Sequence, residues 1–413
     1  MNELLRAHAA AIAAASIDAV KPDGAVRRAL ADREFGGRVV LVAAGKAAWQ
    51  MAKTARDCLG DRISGGVVIT KYGHAMGPIG NFACREAGHP VPDENSFAAT
   101  RAALELVRDL SEEDTVLFLL SGGGSALFEE PLVAGEVLQD ITGQLLACGA
   151  DIVEINTIRK RLSAVKGGRF ARHCAPAQVF SIVLSDILGD PLDMIASGPA
   201  CPDSSTCVQA MEIARKYGLH LTEEARALLS VETPKELDNV ETRITGSVRE
   251  LCAAAAAACR ELGYEPLLLT DQLRCQAREA GSFLSSVLRT HAGCGRNLAF
   301  IAGGETVVRL TGSGKGGRNQ ELALSAAAGI GGNAGMAVFS VGSDGTDGPT
   351  DAAGGYADGD TAAALREREL DIYRILQEND SYNALKAVNG LIFTGPTGTN
   401  VNDVAVALLR ERE

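Results

Sequence analysis

Cations and glycines meet in one stretch of the chain, Gly312–Arg318, which reads GSGKGGR. An apolar helix is predicted to begin directly after it, so free backbone N–H groups and the helix dipole would favour an anion there. The P-loop pattern G-x-x-x-x-G-K-[ST] is not met, because Gly316 follows Lys315. We therefore predict an anion-handling loop of another kind, with Arg318 as the cation at the helix start.

A second glycine-rich loop follows a strand-like run over 117–120 and has the sequence Ser121-Gly122-Gly123-Gly124-Ser125. Glycines let the backbone approach a ligand closely, and the two hydroxyls add polar groups. A tight strand–helix turn without a ligand is the alternative interpretation. We favour ligand binding, because a turn alone rarely needs three glycines.

Lys46 lies between the first predicted strand and a helix, within Ala44-Gly45-Lys46-Ala47. A lysine at a helix N-terminus is electrostatically misplaced unless an anion is bound nearby. We predict that Lys46 faces a phosphate or carboxylate, and a solvated lysine is the alternative. The dinucleotide pattern G-x-G-x-x-G is missing at this position, which argues against an NAD-binding function.

Two groups of aspartates follow strands of similar sequence, VFSI and VFSV. Acids at the carboxyl ends of strands lie where open α/β sheets bind ligands. Their hard oxygen atoms suit Mg²⁺, although Asp-Gly turns account for some of these residues. One real ligand or base is expected in each of the two groups, which are Asp186, Asp190 and Asp193, and Asp344, Asp347 and Asp351.

Helix-like and strand-like segments alternate along the 413 residues, which predicts an α/β fold in two domains. The Pro-containing, charged segment 232–242 is the best boundary, giving domains 1–236 and 237–413. Ser247 and Glu250 form a capping pattern that predicts a helix start. A final helix is predicted over 403–409, and whether it packs back on the first domain is left open.

Composition and charge indicate which binding partners are unexpected and which cellular compartment is expected. The net charge of -12 argues against nucleic acid and anionic membranes. No apolar run approaches the ~20 residues that a membrane span needs. Ten cysteines include no C-x-x-C pair, which favours reduced thiols in a cytoplasmic protein without a zinc or redox motif.

Motifs along nearly the whole chain resemble the class II glycerate kinases, the glycerate 2-kinase family with a DUF4147-type N-terminal domain and a MOFRL C-terminal domain. The first domain carries AGKAA at 44–48, GHPVPD at 88–93, LSGGGSA at 120–126, SAVKGGR at 163–169, LSDILGD at 184–190 and ASGP at 196–199. The second carries GGET at 303–306, GGRNQE at 316–321, SDGTDG at 343–348 and GTNVND at 398–403.

The resemblance implies ATP-dependent phosphorylation of D-glycerate to 2-phosphoglycerate with Mg²⁺. It also implies two Rossmann-like three-layer α/β domains with an interdomain active-site cleft. The sequence leaves open whether the protein is a monomer or a homodimer. Our site hypothesis takes Lys46 and Arg318 as cations for the substrate carboxylate and γ-phosphate, and Asp186 as the base. The remaining assignments are Ser121, Gly122, Gly123, Gly124, Ser125, Gly303, Gly304 and Glu305 for nucleotide or phosphate, and Asp190 and Asp344 for metal.

Two other functions stay open from the sequence. Family members are often labelled hydroxypyruvate reductase, so an NAD(P)H-dependent reductase is one alternative, weakened by the missing dinucleotide pattern. A non-catalytic sensor of an anionic metabolite is the other, and the aspartate groups argue against it, since a pure anion binder has little use for acids. His74 and His89 lie in loops after strands, where a structural role is favoured over substrate contact.

Overall fold

The computed structural model describes residues 2–411, which divide into two compact units. One unit is Ala25–Thr245, and the other joins the residues up to Gly24, including helix α1 (Glu3–Ala19), to those from Gly246 onward. The division therefore lies nine residues beyond the expected boundary at 236/237. The reason is local: the second half of segment 232–242 does not link domains but enters a strand, Val240–Gly246.

A six-stranded sheet forms the centre of the Ala25–Thr245 unit, in the order β3-β2-β1-β4-β5-β6. Neighbouring strands from β3 through β5 in this order all pair in parallel. The strands are β1 (Val39–Ala44), β2 (Ile63–Lys71), β3 (Ala83–Ala87), β4 (Thr115–Leu120), β5 (Gln178–Leu184) and β6 (Val240–Gly246). The helices are α2 (Pro22–Leu30), α3 (Ala48–Leu59), α4 (Glu94–Leu106), α5 (Gly124–Leu127), α6 (Gly135–Ala147), α7 (Ile152–Arg161), α8 (Arg169–Cys174), α9 (Cys207–Lys216) and α10 (Glu223–Leu229).

The central strands β1 and β4 are buried along their whole length. Continuous apolar runs of this kind are typical of parallel strands covered on both faces, and successive side chains enter different cores. Val40 and Phe118 pack on one face of the sheet, whereas Leu41 and Leu117 pack on the other. Because β1, β4 and β5 are parallel, the residues that follow them emerge at one edge of the sheet.

The second unit also has a six-stranded sheet, in the order β11-β10-β9-β12-β8-β7. Within residues 2–411, β7 and β8 form the one parallel pair of this sheet, and β12 runs antiparallel to both β8 and β9. The strands are β7 (Glu265–Leu273), β8 (Leu298–Gly304), β9 (Met336–Gly342), β10 (Gly354–Asp358), β11 (Leu391–Ile392) and β12 (Asp403–Leu409). The helices are α1 with α11 (Val248–Glu261), α12 (Ala277–His291), α13 (Arg318–Ile330), α14 (Thr361–Arg366), α15 (Ile372–Glu378) and α16 (Ser381–Ala387).

The prediction of an α/β fold in two domains is confirmed, and α11 begins after Ser247 as its capping pattern predicted. The helix predicted over 403–409 is wrong. This segment is strand β12, buried at every position between β8 and β9, where β-branched Val404 and Val406 pack well. It belongs to the sheet of its own unit. Within residues 2–411, no helix combines the length and hydropathy that crossing a bilayer needs.

Candidate active site

The loops after β1 and β4 are tied together at the carboxyl edge of the first sheet. The Lys46 amide donates to the Gly122 carbonyl oxygen at 2.9 Å, and the Ala47 amide donates to Ser121 Oγ at 3.1 Å. Gly45 has φ 128°, and a Cβ there would lie 2.2 Å from Ser121 Oγ. Only glycine allows this approach, so the sequence fixes Lys46 beside the glycine-rich loop.

Three polar side chains converge on the middle of that loop. A Cβ on Gly122 would lie 2.3 Å from Asp186 Oδ2. A Cβ on Gly123 would lie 3.0 Å from His89 Cδ2 and 3.3 Å from Lys46 Cγ. The structure thus brings together the cation, the acid and the glycines that the sequence singled out separately. Open parallel sheets bind ligands at this edge.

His89 is the residue that the sequence analysis undervalued here. It is half-buried against Gly123 and Lys46. Burial lowers its pKa, and the positive charges of Lys46, Lys71 and His74 lower it further. The imidazole is therefore neutral at neutral pH, when it can both donate and accept a hydrogen bond. The only sequence signal was its loop position after a strand, which His74 shares.

Lys46→Met is expected to raise the pKa of His89 toward its ordinary value, because a neighbouring positive charge is removed. The shift will be partial, since burial and the charges of Lys71 and His74 remain. An NMR titration of the His89 ring protons measures it, with Lys53→Met, on the exposed side of α3, as the matched control. An unchanged His89 pKa in Lys46→Met would contradict the proximity of these side chains.

Helix α7 supports the glycine-rich loop through the residue that ends it, Ser125. Arg159 Nη2 donates to the Ser125 carbonyl oxygen at 3.0 Å. Ser125 Oγ lies 3.2 Å from Ser197 Oγ, which in turn donates to Asn156 Oδ1 at 2.9 Å. The last turn of α7 carries three consecutive basic residues, and the first of them, Arg159, is used to hold this loop.

Asp190 lies beyond Asp186 at a backbone turn with φ 52°. Its Oδ1 atom is buried and has no hydrogen-bond partner among the described residues. Buried carboxylate oxygens are normally satisfied, so this atom is suited to receive a ligand or a cation. Asp193 is different: it pairs with Lys160 at 3.3 Å and accepts from Ser204 at 2.9 Å, and both contacts are structural.

The N-terminus of α13, predicted to hold an anion, holds one that the chain itself supplies. The amides of Asn319 and Gln320 donate to the two carboxylate oxygens of Asp347 at 3.1 and 2.9 Å. A Cβ on Gly317 would lie 2.2 Å from Asp347 Cγ, which explains the glycine before the helix. Asp347 therefore caps α13 from a distant loop. Within the second group of aspartates, this residue has a structural role.

Burial raises the pKa of Asp347 to about 6, although the amide donors of Gln320 and Asn319 oppose this shift. The folded protein thus binds this proton more tightly than the unfolded chain does. The unfolding free energy is expected to fall as pH rises from about 4 to about 6, by an amount on the order of 3 kcal/mol from this group. Chemical denaturation across this range measures it, and Asp347→Asn should flatten the slope. An equal slope in both proteins would contradict the assignment.

Arg318, the first residue of α13, is held by two carboxylates. Its Nε and Nη2 donate to the two oxygens of Asp403 at 2.5 and 3.0 Å, and its Nη1 donates to Glu305 at 3.1 Å. Burial disfavours the guanidinium charge, but Asp403, Glu305 and Asp347 outweigh it and raise the pKa of Arg318. The residue stays charged and fixed, with a third of its side chain exposed.

Asp403 is the residue that sequence analysis missed in this unit. It begins β12 opposite Gly304 and Gly342, and burial raises its pKa. A Cβ on Gly342 would lie 3.3 Å from Asp344 Oδ1 and 3.4 Å from Asp403 Oδ1, so both carboxylates flank one glycine. The sequence signal was an acid at the start of an apolar run, and the wrong helix prediction concealed it.

Packing explains two glycines that were assigned to nucleotide contact. A Cβ on Gly303 would lie 2.3 Å from Cys252 Sγ, and one on Gly304 would lie 2.3 Å from the Leu273 carbonyl oxygen. Glu305, which follows them, is half-exposed and pairs with Arg318. The Gly312–Gly317 segment is likewise anchored, with its Gly314 amide donating to the Glu378 carbonyl oxygen at 2.8 Å.

Comparison with known proteins matches both units. Residues 8–230 match the family described as "Domain of unknown function (DUF4147)", and residues 298–403 match the MOFRL family. The chain is 54% identical to a D-glycerate 2-kinase of Thermotoga maritima, covering 98% of this chain and 99% of that protein. It is 40% identical to a glycerate 2-kinase of Pyrococcus horikoshii, over 92% and 89%.

A protein of Agrobacterium vitis that bears the name putative hydroxypyruvate reductase is 40% identical, over 96% of this chain and 92% of that one. Among solved structures, a glycerate kinase of Thermotoga maritima superposes with a TM-score of 0.94 at 53% identity, over 98% and 99% of the two chains. A second structure, from Pyrococcus horikoshii, superposes with a TM-score of 0.93 at 39% identity, over 99% of each chain.

Proposed function

We propose that this chain, which belongs to the glycerate 2-kinase family with joined DUF4147 and MOFRL domains, phosphorylates D-glycerate at its 2-hydroxyl with ATP. The observation that carries the proposal is the 54% identity to a D-glycerate 2-kinase across essentially the whole of both chains. In the Ala25–Thr245 unit, Lys46, His89 and Asp186 meet the glycines at 122–124 at the carboxyl ends of the strands, and we call this group the strand-end cluster. It supplies the acid, the cation and the backbone amides that such a reaction needs.

Phosphoryl transfer requires an oriented acceptor hydroxyl and positive charge for the transferring group. In our proposal Asp186 accepts the proton of the glycerate 2-hydroxyl as that oxygen attacks the γ-phosphorus, and the bond from the γ-phosphorus to the bridging oxygen breaks, so that ADP leaves. Lys46 supplies positive charge to the anionic substrates. The backbone amides around Gly122 and Gly123 contact phosphate oxygens, which the close approach of these glycines permits.

Arg318 is proposed to bind an anionic substrate group while it remains anchored to Asp403. Its bond to buried Asp403 fixes the guanidinium plane, and its bond to half-exposed Glu305 leaves the outer edge open to exchange. A carboxylate or phosphate oxygen would replace the Glu305 oxygen, because a planar guanidinium binds such groups with defined geometry.

Asp190, in the Ala25–Thr245 unit, and Asp344, in the second unit, are each proposed as a ligand for Mg²⁺. No group of three or more His, Cys, Asp or Glu side chains in residues 2–411 is arranged to hold a metal ion. This fits Mg²⁺ all the same, since it usually takes one or two carboxylates and fills its shell with water and substrate phosphates. The unsatisfied Asp190 Oδ1 is the observation that favours a ligand there. When bound, Mg²⁺ would neutralise phosphate charge during transfer.

The name of the Agrobacterium vitis relative suggests one alternative function to test, the reduction of hydroxypyruvate. Purified protein should be assayed in parallel with ATP and D-glycerate, and with NADH or NADPH and hydroxypyruvate. The proposal predicts glycerate-dependent ADP formation and no oxidation of the reduced nucleotides. Hydroxypyruvate-dependent NADH oxidation without ADP formation would overturn it.

A further inference from the structure

The hydroxyl that ends the glycine-rich loop belongs to a directed hydrogen-bond chain. Asn156 Nδ2 lies 3.5 Å from Met194 Sδ, a weak acceptor, which turns Asn156 Oδ1 toward Ser197. Ser197 Oγ donates to that oxygen at 2.9 Å, so its own oxygen is left to accept. Ser125 Oγ, 3.2 Å away, must then be the donor to Ser197.

Burial makes this direction firm. Ser197 and Asn156 are 0% and 2% exposed, so water cannot take the place of either partner. The proton of Ser125 is committed inward, and its lone pairs are what it offers to the half-exposed side of the loop. A hydroxyl in this state suits a donor such as a ligand O–H, and is a poor partner for a phosphate oxygen, which can only accept.

The backbone beneath the loop is held in an uncommon conformation that keeps the chain in place. Ala196, Ser197 and Gly198 have φ of 51°, 62° and 65°, in the left-handed region that non-glycine residues rarely adopt. A Cβ on Gly124 would lie 2.7 Å from Ala196 Cβ, so this segment supports the glycine-rich loop directly. Such strain persists only where surrounding contacts determine it, and it concentrates at functional sites.

We propose that Ser125 accepts a hydrogen bond from the 3-hydroxyl of D-glycerate and so selects hydroxy acids that carry this group, with Ser197 and Asn156 as positioning residues. The inference rests on the proposed function, because it concerns the acceptor substrate of that reaction. The 3-hydroxyl is the group left for recognition, since the 2-hydroxyl is assigned to Asp186. The loop's backbone amides remain available to donate to phosphate oxygens. The same loop therefore accepts a hydrogen bond from D-glycerate through Ser125 and donates hydrogen bonds to phosphate through its amides.

The test compares D-glycerate with D-lactate, which lacks the 3-hydroxyl and is used as a competitive inhibitor. Ser125→Ala is expected to raise KM for D-glycerate about tenfold and leave the Ki of D-lactate and the KM of ATP nearly unchanged. Ser197→Gly should give the same pattern, and its Tm is measured alongside, because glycine relieves the positive φ but leaves the buried Asn156 Oδ1 without its donor. Ser204→Ala, a neighbouring serine bonded to Asp193, is the matched control.

The possible results distinguish failure of the Ser125 assignment from failure of the proposed glycerate kinase activity. Wild-type protein that forms no ADP with D-glycerate overturns the function itself. With an active wild type, an equal rise in the KM of D-glycerate and the Ki of D-lactate in Ser125→Ala and Ser197→Gly indicates a structural role only. A selective rise in the KM of ATP would instead place Ser125 on the nucleotide phosphates. Either result overturns the assignment of Ser125 to the 3-hydroxyl.

Discussion

Asp186→Asn is expected to lower kcat for D-glycerate phosphorylation by about 10²–10⁴-fold, the range that general bases contribute. The substitution keeps the size of the side chain beside Gly122 and removes its basicity. KM values should change much less than kcat, because the proton is transferred only as the hydroxyl attacks. Steady-state kinetics with both substrates measure the effect, and Asp109→Asn, on an exposed aspartate of the same unit, is the matched control.

Gly122→Ala tests the role of Asp186 without replacing that residue. The added methyl would meet Asp186 Oδ2 at 2.3 Å and must displace it, so kcat should fall although Asp186 remains. Gly143→Ala in α6 adds a methyl where no atom lies within 4 Å and should leave kcat unchanged. Asp186→Asn and Gly122→Ala proteins with near-normal kcat would remove Asp186 from the mechanism.

Lys46→Ala is expected to lower kcat/KM for D-glycerate by about 10²–10³-fold, as loss of a single fixed charge or donor at a reacting group does. Its fold should be retained, because the loop is held by backbone bonds from Lys46 and Ala47 that the substitution keeps. Lys53→Ala, in exposed contact with Asp57, is the matched control. Activity close to wild type in Lys46→Ala would contradict the proposed role.

Arg318 needs a variant that separates activity from folding. Arg318→Ala leaves buried Asp403 without its partner, and loss of one member of such a pair costs about 3–5 kcal/mol of stability. Arg318→Lys keeps the charge but loses the planar fork, so it should remain folded while kcat/KM falls. Thermal unfolding alongside kinetics distinguishes the two effects. A folded Arg318→Lys protein with unchanged kinetics would limit Arg318 to a structural role.

The strand-end cluster could be anticipated from the sequence because local signals are strong there. Buried parallel strands leave continuous apolar runs, and Gly45, Gly122 and Gly123 mark close backbone approach at their ends. The mutual arrangement of Lys46 and Asp186 depends on strand order, which no local pattern encodes. The family resemblance indicated which of these motifs belong to one site, and membership of the family is confirmed by matches that span both units.

The second unit was harder to predict because distant residues decide its local structure. Asp347 caps α13 from another loop, so the helix start looked like an open anion site in sequence. Val404 and Val406 lie in a run that reads equally well as a buried helix or strand, and its position between β8 and β9 decides the matter. That error also hid Asp403, the partner that fixes Arg318.

The most direct test of the central claim is the identity of the product formed from D-glycerate. Purified protein incubated with ATP, Mg²⁺ and ¹³C-labelled D-glycerate can be followed by ³¹P and ¹³C NMR, which distinguish phosphate on C2 from phosphate on C3. Formation of 2-phosphoglycerate with equimolar ADP is the predicted result. Phosphate on C3, or no phosphorylated product while hydroxypyruvate is reduced by NADH, would contradict it.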